Sequence, residues 1–210
     1  MLILRNAGLV YLANPKTASQ AIRAMLRPHA GPGMSGGIAG DDRRHLNATG
    51  FARHWAGRLA REFGAAPETL AVMRDPLDHM YSWFRYRQRP ALKGHPNSTL
   101  GLTFAQFVEA RLSDAPSPPA AIGRQDRFLG FIDGGPPVTH VFDFARLDLV
   151  VDFLNDRLSA RLTLDRRNGS RRNEPPPALP EGLAARYARV HQAELALYER
   201  VAEKGHLITR

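Results

Sequence analysis

The sequence predicts an α/β domain built on a mostly parallel central sheet flanked by helices, and three observations predict it. Short apolar runs rich in strand formers recur along the chain, amphipathic helical stretches alternate with them, and a polar turn joins each run to the helix that follows. Strands alternating with helices favour a parallel sheet with ligands beyond the carboxyl ends of its strands. The chain has 210 residues, 43% of them hydrophobic and none cysteine. At that size a domain buries roughly 70% of the surface its unfolded form exposes, so residues 1–210 read as a single domain that needs neither a disulfide nor a structural metal.

Leu9-Val10-Tyr11-Leu12 is the first strand signal. A polar turn from Ala13 to Gln20 opens onto a helix carrying Ala21, Ile22, Met25 and Leu26, which must stop near Pro28. A glycine-rich loop from Gly31 to Gly40 follows. Thr49 is the expected N-cap of a helix whose Phe51, Trp55, Leu59 and Phe63 recur every four residues and which ends at Gly64. Leu70-Ala71-Val72-Met73 is the second strand, followed by the turn Arg74-Asp75-Pro76 and a helix from Leu77 to Arg87. Gln88 to Gly101 reads as a polar loop, Thr103 to Leu112 as a helix and Ser113 to Pro119 as a proline-rich loop. Val138 to Phe144 is the third strand, and Leu147 to Leu158 an amphipathic helix. Arginines and prolines break regularity from Arg161 to Pro180, and Glu181 to Lys204 reads as one long closing helix with Leu183, Tyr187, Val190, Leu197, Tyr198 and Val201 buried.

The formal charge of +9, from 29 Lys and Arg against 20 Asp and Glu, points to an anionic partner. Aromatic residues read as scattered rather than interleaved with basic ones, so no nucleic-acid partner is expected. No apolar run approaches a membrane span, so no stable membrane insertion is expected. Met1 to Asn6 carries no leader pattern, which gives a soluble, cytoplasmic protein as the expectation. The lack of cysteine excludes thiol nucleophiles, iron–sulfur clusters and zinc ribbons.

Two turns carry candidate chemistry. After the first strand, Lys16, Thr17, Ala18, Ser19 and Gln20 stand where a helix begins, so backbone N–H groups, a point charge and hydroxyls meet in a potential phosphate cradle. The glycine-rich pattern GxxxxGK[ST] is absent, which disfavours an ordinary ATPase or GTPase. After the second strand, Arg74 stands at the strand tip and Ser82 eight residues later in the helix, a forked cation and a hydroxyl suited to one phosphate.

Here the chain resembles the sulfotransferases that use 3′-phosphoadenosine-5′-phosphosulfate, particularly bacterial and carbohydrate-type members. "YLANPKTASQAI" is similar to the loop that binds the 5′-phosphosulfate, and "VMRDPLDHMYSWFRY" to the strand and helix that bind the 3′-phosphate. "RQDRFLGFIDGG", "VFDFARLDLVVDFLNDRLS" and "RRNGSRRNEP" follow in the family's order. The resemblance implies a P-loop-like three-layer domain and that nucleotide as co-substrate. It places Lys16 at the bridging oxygen and sulfonate, the Thr17 to Gln20 amides with the Thr17 and Ser19 hydroxyls at the 5′-phosphate, and Arg74 with Ser82 at the 3′-phosphate. It also folds the arginine-rich loop, with Arg171 and Arg172 among Arg166 to Arg172, over the nucleotide. Three positions depart from the pattern: Ala18 where glycine is frequent, Gln20 where a second hydroxyl is frequent, and His79 where many relatives carry arginine.

Sulfonyl transfer asks for positioning, stabilisation of the leaving phosphate and removal of one proton from the acceptor, with no metal demanded. A base active near neutrality points to histidine. His45, after Arg43-Arg44, lies where related sequences often carry a histidine; Asp41, Asp42 and His54 are the alternatives. His29 and His95 sit in segments able to line the acceptor path, and His191 reads as structural. The expected acceptor is a hydroxyl, or an amine, of a carbohydrate or glycoconjugate. A kinase on a related fold and a non-catalytic nucleotide- or anion-binding protein are the rival readings, and sequence alone leaves the acceptor's identity and the oligomeric state open.

Overall fold

A five-stranded open sheet forms the centre of the computed structural model, which describes residues 1–30, 45–132, 134–165 and 174–209. Its strands are β1 (Leu2–Leu4), β2 (Leu9–Tyr11), β3 (Glu68–Met73), β4 (His140–Asp143) and β5 (His206–Ile208), in spatial order β1-β2-β3-β4-β5. The three predicted strands are its parallel centre, with Leu9 opposite Glu68 and Leu70 opposite His140. The sheet as a whole is mixed, because β1 and β5 pair antiparallel at its edges. This corrects the mostly parallel expectation. The connection from β1 to β2 is one turn of 3-10 helix, Arg5–Ala7, closed by Gly8 at φ 59°, and so short a link can only reverse the chain. Both edge strands have three residues, too few for alternation to register in the sequence.

Alternation along the strands sends residues to opposite faces. Val10, Ala71, Met73 and Val141 pack with Phe51, Trp55, Leu59, Leu197 and Val201, whereas Leu9, Tyr11, Leu70, Val72 and Phe142 pack with Ile22, Leu26, Val150 and Leu154. Each fully buried aliphatic side chain contributes roughly 1.5–3 kcal/mol of transfer free energy, so the two faces carry most of the drive to fold.

The helices follow from their capping chemistry. α1 is Ser19–Leu26, giving way to one turn of 3-10 helix that contains Pro28. α2 (Ala48–Phe51) starts two residues earlier than expected: Asn47, not Thr49, is the N-cap, and its side chain accepts from the Gly50 N–H at 2.8 Å. The chain then widens into a π stretch, Ala52–Ala56, before α3 (Gly57–Phe63) ends at Gly64 in the left-handed region. α4 (Pro76–Arg87) has Pro76 in its first turn and Asp75 as N-cap, and α5 (Phe104–Arg111) begins in a Thr103/Gln106 capping box. Met80 and Phe84 of α4 meet Phe104, Phe107 and Val108 of α5 in a third apolar cluster.

A four-residue helix, α6 (Gln125–Phe128), lies in a stretch without helical periodicity, and α7 is Leu147–Leu158 as predicted. The closing helix is two: α8 (Glu181–Val190) and α9 (Gln192–Lys204), interrupted at His191. The interruption shifts the phase of the apolar stripe, leaving Val190 47% exposed while Leu197 and Val201 stay buried. Among the described residues no helix is long and apolar enough to cross a membrane.

The turn after α6 depends on one glycine. Gly130 has φ +82°, and a Cβ there would lie 2.7 Å from the Pro136 carbonyl oxygen, a backbone atom that cannot swing away. Gly130→Ala should therefore lower the unfolding free energy by about 2–4 kcal/mol in urea titration; a loss below about 0.5 kcal/mol would show that the turn relaxes freely.

Candidate functional site

Beyond Tyr11, β2 continues as Leu12-Ala13-Asn14-Pro15-Lys16-Thr17-Ala18 and enters α1, carrying the predicted Lys16 to Gln20 segment to the carboxyl end of the sheet. Lys16 and Ala18 both lie in the left-handed region, at φ 65° and 58°. That geometry costs a non-glycine residue about 1–2 kcal/mol, so the loop needs anchors. Thr17, fully buried, donates its hydroxyl proton to the Asn14 carbonyl at 2.9 Å. His79 of α4 donates from Nε2 to the Pro15 carbonyl at 3.0 Å, and Arg74 donates from Nη1 to the Lys16 carbonyl at 3.3 Å.

These anchors redistribute the predicted roles. The Thr17 hydroxyl proton is used inside the loop, so Thr17 can offer an anion its backbone N–H rather than its side chain. Ser19 is 7% exposed in the first turn of α1, and its hydroxyl has no hydrogen bond within the described residues. Gln20 is exposed and stands in the same first turn, where amide groups lack intrahelical acceptors.

Arg74 leaves the tip of β3 and forks Asp78 one helical turn on, with Nε to Oδ2 at 2.5 Å and Nη2 to Oδ1 at 2.9 Å. Its guanidinium also covers the Phe144 ring just beyond β4, at 4.5 Å. Of five N–H groups, three are engaged by Asp78 and Lys16, which leaves one on each terminal nitrogen. The Lys16 ammonium lies 4.1 Å from the centre of the Tyr86 ring and 5.7 Å from that of Trp83. At a rise of about 1.5 Å per residue, Ser82 sits about 6 Å along α4 from both Asp78 and Tyr86 on their shared i, i+4 face. Arg74 and Lys16 thus both reach α4, and Ser82 stands in sequence between their contacts Asp78 and Tyr86. Aromatic and basic side chains, expected to be scattered, meet on and just after this helix: Arg85 covers Tyr81, Arg87 covers Trp83 and Arg89, two residues past its end, covers Tyr86.

His45 joins the same end of the sheet. Its Nδ1 lies 2.7 Å from the Ala13 carbonyl oxygen, which can only accept, so Nδ1 carries the proton and the basic lone pair of the neutral ring is on Nε2. His54 is exposed on the π stretch. His29 lines a cavity of about 430 Å³ with Asn6 and Arg157, at the opposite end of the sheet from the loop, and so does not reach this site. His95 is exposed, and its Nδ1 accepts from the Asn97 N–H at 3.0 Å. Arg171 and Arg172, like Arg166, Arg167, Asp41 and Asp42, lie outside the described residues.

Sequence reading missed the groups that hold the two turns together. Asn14, 1% exposed, donates from Nδ2 to the Val72 carbonyl at 2.9 Å and to Gln125 Oε1 at 3.2 Å. Gln125, fully buried, accepts from the Arg74 N–H at 3.0 Å and donates from Nε2 to the Arg74 carbonyl at 2.8 Å. Its own N–H donates to Glu194 Oε1 at 2.8 Å, while His191 donates from Nδ1 to Glu194 Oε2 at 2.7 Å. Burial alone would raise the Glu194 pKa, but these hydrogen bonds outweigh it and hold the carboxyl below its ordinary range. Asp78 was the readable omission, since it stands four residues after Arg74 on a predicted helix.

Two consequences follow from the loop's anchors. Because Ala18 pays the left-handed penalty, Ala18→Gly should raise stability by about 1 kcal/mol in chemical denaturation; a destabilised variant would mean that the methyl group's contacts outweigh the strain. Burial, opposed by Glu194 and the bond to Pro15 and aided by Arg74 and Lys16, lowers the His79 pKa from 6.5 to about 4. Below pH 6.5 the unfolded chain takes up a proton that the folded chain refuses, so stability is lost as pH falls from about 6.5 towards 4. Between pH 7.5 and 4.5, wild type should lose about 2–3 kcal/mol more than His79→Gln; equal losses would assign the acid sensitivity to other groups.

No protein-family model matches the chain, and no curated protein matches it.

Proposed function

We propose that the protein is a sulfotransferase that moves a sulfonyl group from 3′-phosphoadenosine-5′-phosphosulfate to a hydroxyl, or an amine, of a carbohydrate or glycoconjugate. One observation carries the reading. Two cation-bearing turns stand at the carboxyl ends of adjacent parallel strands and are bonded to each other through Arg74 and the Lys16 carbonyl, with His45 bonded to the base of the first turn. This fits a ligand with two separated phosphates better than it fits a nucleoside triphosphate, whose phosphates lie in one run. The parallel centre and the helices on both faces support a P-loop-like three-layer fold for the same reading.

The nucleotide, when bound, supplies an activated sulfonyl group. The amides of Thr17 to Gln20 and the Ser19 hydroxyl would hold its 5′-phosphate, the positive end of α1 facing that charge. Arg74, through its two remaining N–H groups, and Ser82 would hold the 3′-phosphate. Lys16 would leave the Tyr86 ring to neutralise charge on the departing phosphate, a contribution that belongs to the transition state. His45 would take the acceptor proton on Nε2, the Ala13 carbonyl fixing its tautomer. Arg171 and Arg172 belong to the reading as further nucleotide-binding residues. Cytoplasmic location belongs to it too.

Calorimetry with adenosine 3′,5′-bisphosphate, 5′-AMP and ATP tests the donor site. The bisphosphate should bind without magnesium and ATP should not. Arg74→Ala should weaken the bisphosphate by about 30- to 800-fold and 5′-AMP far less. Equal losses for both ligands would remove the 3′-phosphate assignment. In a turnover assay against an acceptor panel, Lys16→Met should lower kcat about a hundredfold or more. His45→Ala should lower it about 10²- to 10⁴-fold and abolish the acidic limb of kcat/KM. Binding with no turnover on any acceptor would favour a nucleotide-binding protein instead.

A further inference from the structure

We infer that Gln125 is a positioning residue that couples the two anion-binding turns, fixing their spacing through Asn14 and Arg74 so that a ligand with two phosphates meets both at once. The inference rests on the donor-site reading above and adds to it a residue 51 positions from Arg74 and 111 from Asn14.

The sheet explains why such a residue is needed. The ladder between β3 and β4 ends at Met73 opposite Asp143, and Arg74 is the first residue past it. Between β2 and β3, Tyr11 is opposite Leu70, after which Leu12 donates to the Leu70 carbonyl at 2.8 Å and the two chains separate. Backbone groups at such a split lose their strand partners while still buried, at a cost of about 1–3 kcal/mol for each group left unmet. Gln125 offers Arg74 an acceptor and a donor on one planar amide, the pair of groups that a further strand residue would offer. Its oxygen takes a second hydrogen bond from Asn14, whose other amide proton serves the Val72 carbonyl. Both lone pairs of the Gln125 oxygen are therefore filled. A flip of the amide would set N–H against N–H and carbonyl against carbonyl, so a single orientation is selected.

Gln125 is itself held from behind. Its N–H is bonded to Glu194 of α9, and Glu194 is bonded to His191. The turn bearing Lys16 and the turn bearing Arg74 are thus referenced to one side chain on a third element. The 3′- and 5′-phosphates of a nucleotide are set apart by its ribose, so a drift between the turns penalises a bisphosphate and spares a ligand held by one turn alone.

The test compares adenosine 3′,5′-bisphosphate with 5′-AMP by calorimetry on the full chain, with circular dichroism establishing that each variant is folded. Gln125→Leu should lower bisphosphate affinity about 10- to 50-fold and that of 5′-AMP by less than about threefold. Gln125→Glu keeps the shape, and its protonated carboxyl can both donate and accept; its bisphosphate deficit relative to wild type should shrink between pH 8 and pH 5. That variant also decides the matter if Gln125→Leu does not fold. Equal losses for the two ligands, no loss in a folded variant, or a Gln125→Glu deficit independent of pH would overturn the coupling role. A wild-type protein that binds the bisphosphate no more tightly than 5′-AMP would instead overturn the donor-site reading, and the inference with it.

Discussion

The end of the sheet is organised around one constraint: where β2 and β3 part, buried backbone groups lose the strand that would have paired with them. Two carboxamides take over. Asn14 reaches across to the Val72 carbonyl, and Gln125 pairs with both backbone groups of Arg74 while accepting from Asn14. Amides suit this place because each presents a donor and an acceptor without a charge to desolvate, whereas an unpaired carboxylate or ammonium at full burial would cost several kcal/mol. The charge needed to orient the pair is set one layer back, on Glu194, where His191 at 2.7 Å and Arg124 at 3.8 Å stand against it. The site is therefore referenced to α9 as well as to the sheet. Tyr198 of the same helix donates to Asp143 at the tip of β4, at 3.2 Å, which ties a second strand end to that support.

Strain and support are matched in the loop before α1. Two left-handed residues, neither of them glycine, would relax into more favourable geometry if the chain were free to do so. Carbonyl acceptors at Asn14, Pro15 and Lys16 each receive a side-chain donor, from Thr17, His79 and Arg74 respectively. Each such bond is worth about 0.5–1.5 kcal/mol net, comparable to the strain it offsets. His79 makes its bond from Nε2–H, and burial keeps the ring neutral by holding its pKa down at about 4. The imidazole thus braces the loop through the Pro15 carbonyl without adding a charge.

Legibility in the sequence followed the range of the interactions. The three central strands, the turns after two of them, α7 and the helix beginning at Thr103 all declare themselves within a dozen residues, through period and proline. The Arg74 to Ser82 spacing is equally local, and Arg74 is bonded to the Lys16 carbonyl. The edge strands were too short to read, and the Asn47 cap was hidden by a threonine two residues later. The break at His191 comes where a buried histidine pairs with Glu194, a tertiary event that the helical period does not record. Gln125 was the least legible of all, because its partners lie 51 and 111 residues away and its own helix has four residues.

The division of labour in the site follows from which atoms each group presents. Backbone carbonyls and buried amides fix the turns, and they have nothing left to give an anion. The outward amides of α1, the Ser19 hydroxyl and the two cations do. Lys16 rests against Tyr86 and Trp83, where cation–π attraction is worth about 0.5–2 kcal/mol, less than a charge-assisted hydrogen bond to an oxyanion in a partly desolvated site. Its carbonyl, which accepts from Arg74, anchors the loop separately from its ammonium. Arg74 is different: the guanidinium that would meet a phosphate also bonds Lys16's carbonyl and Asp78. Its loss would remove a ligand contact and one of the first turn's three carbonyl anchors, while Thr17 and His79 would still hold that turn. The two cations therefore do different physical work even though both stand at the tips of adjacent strands.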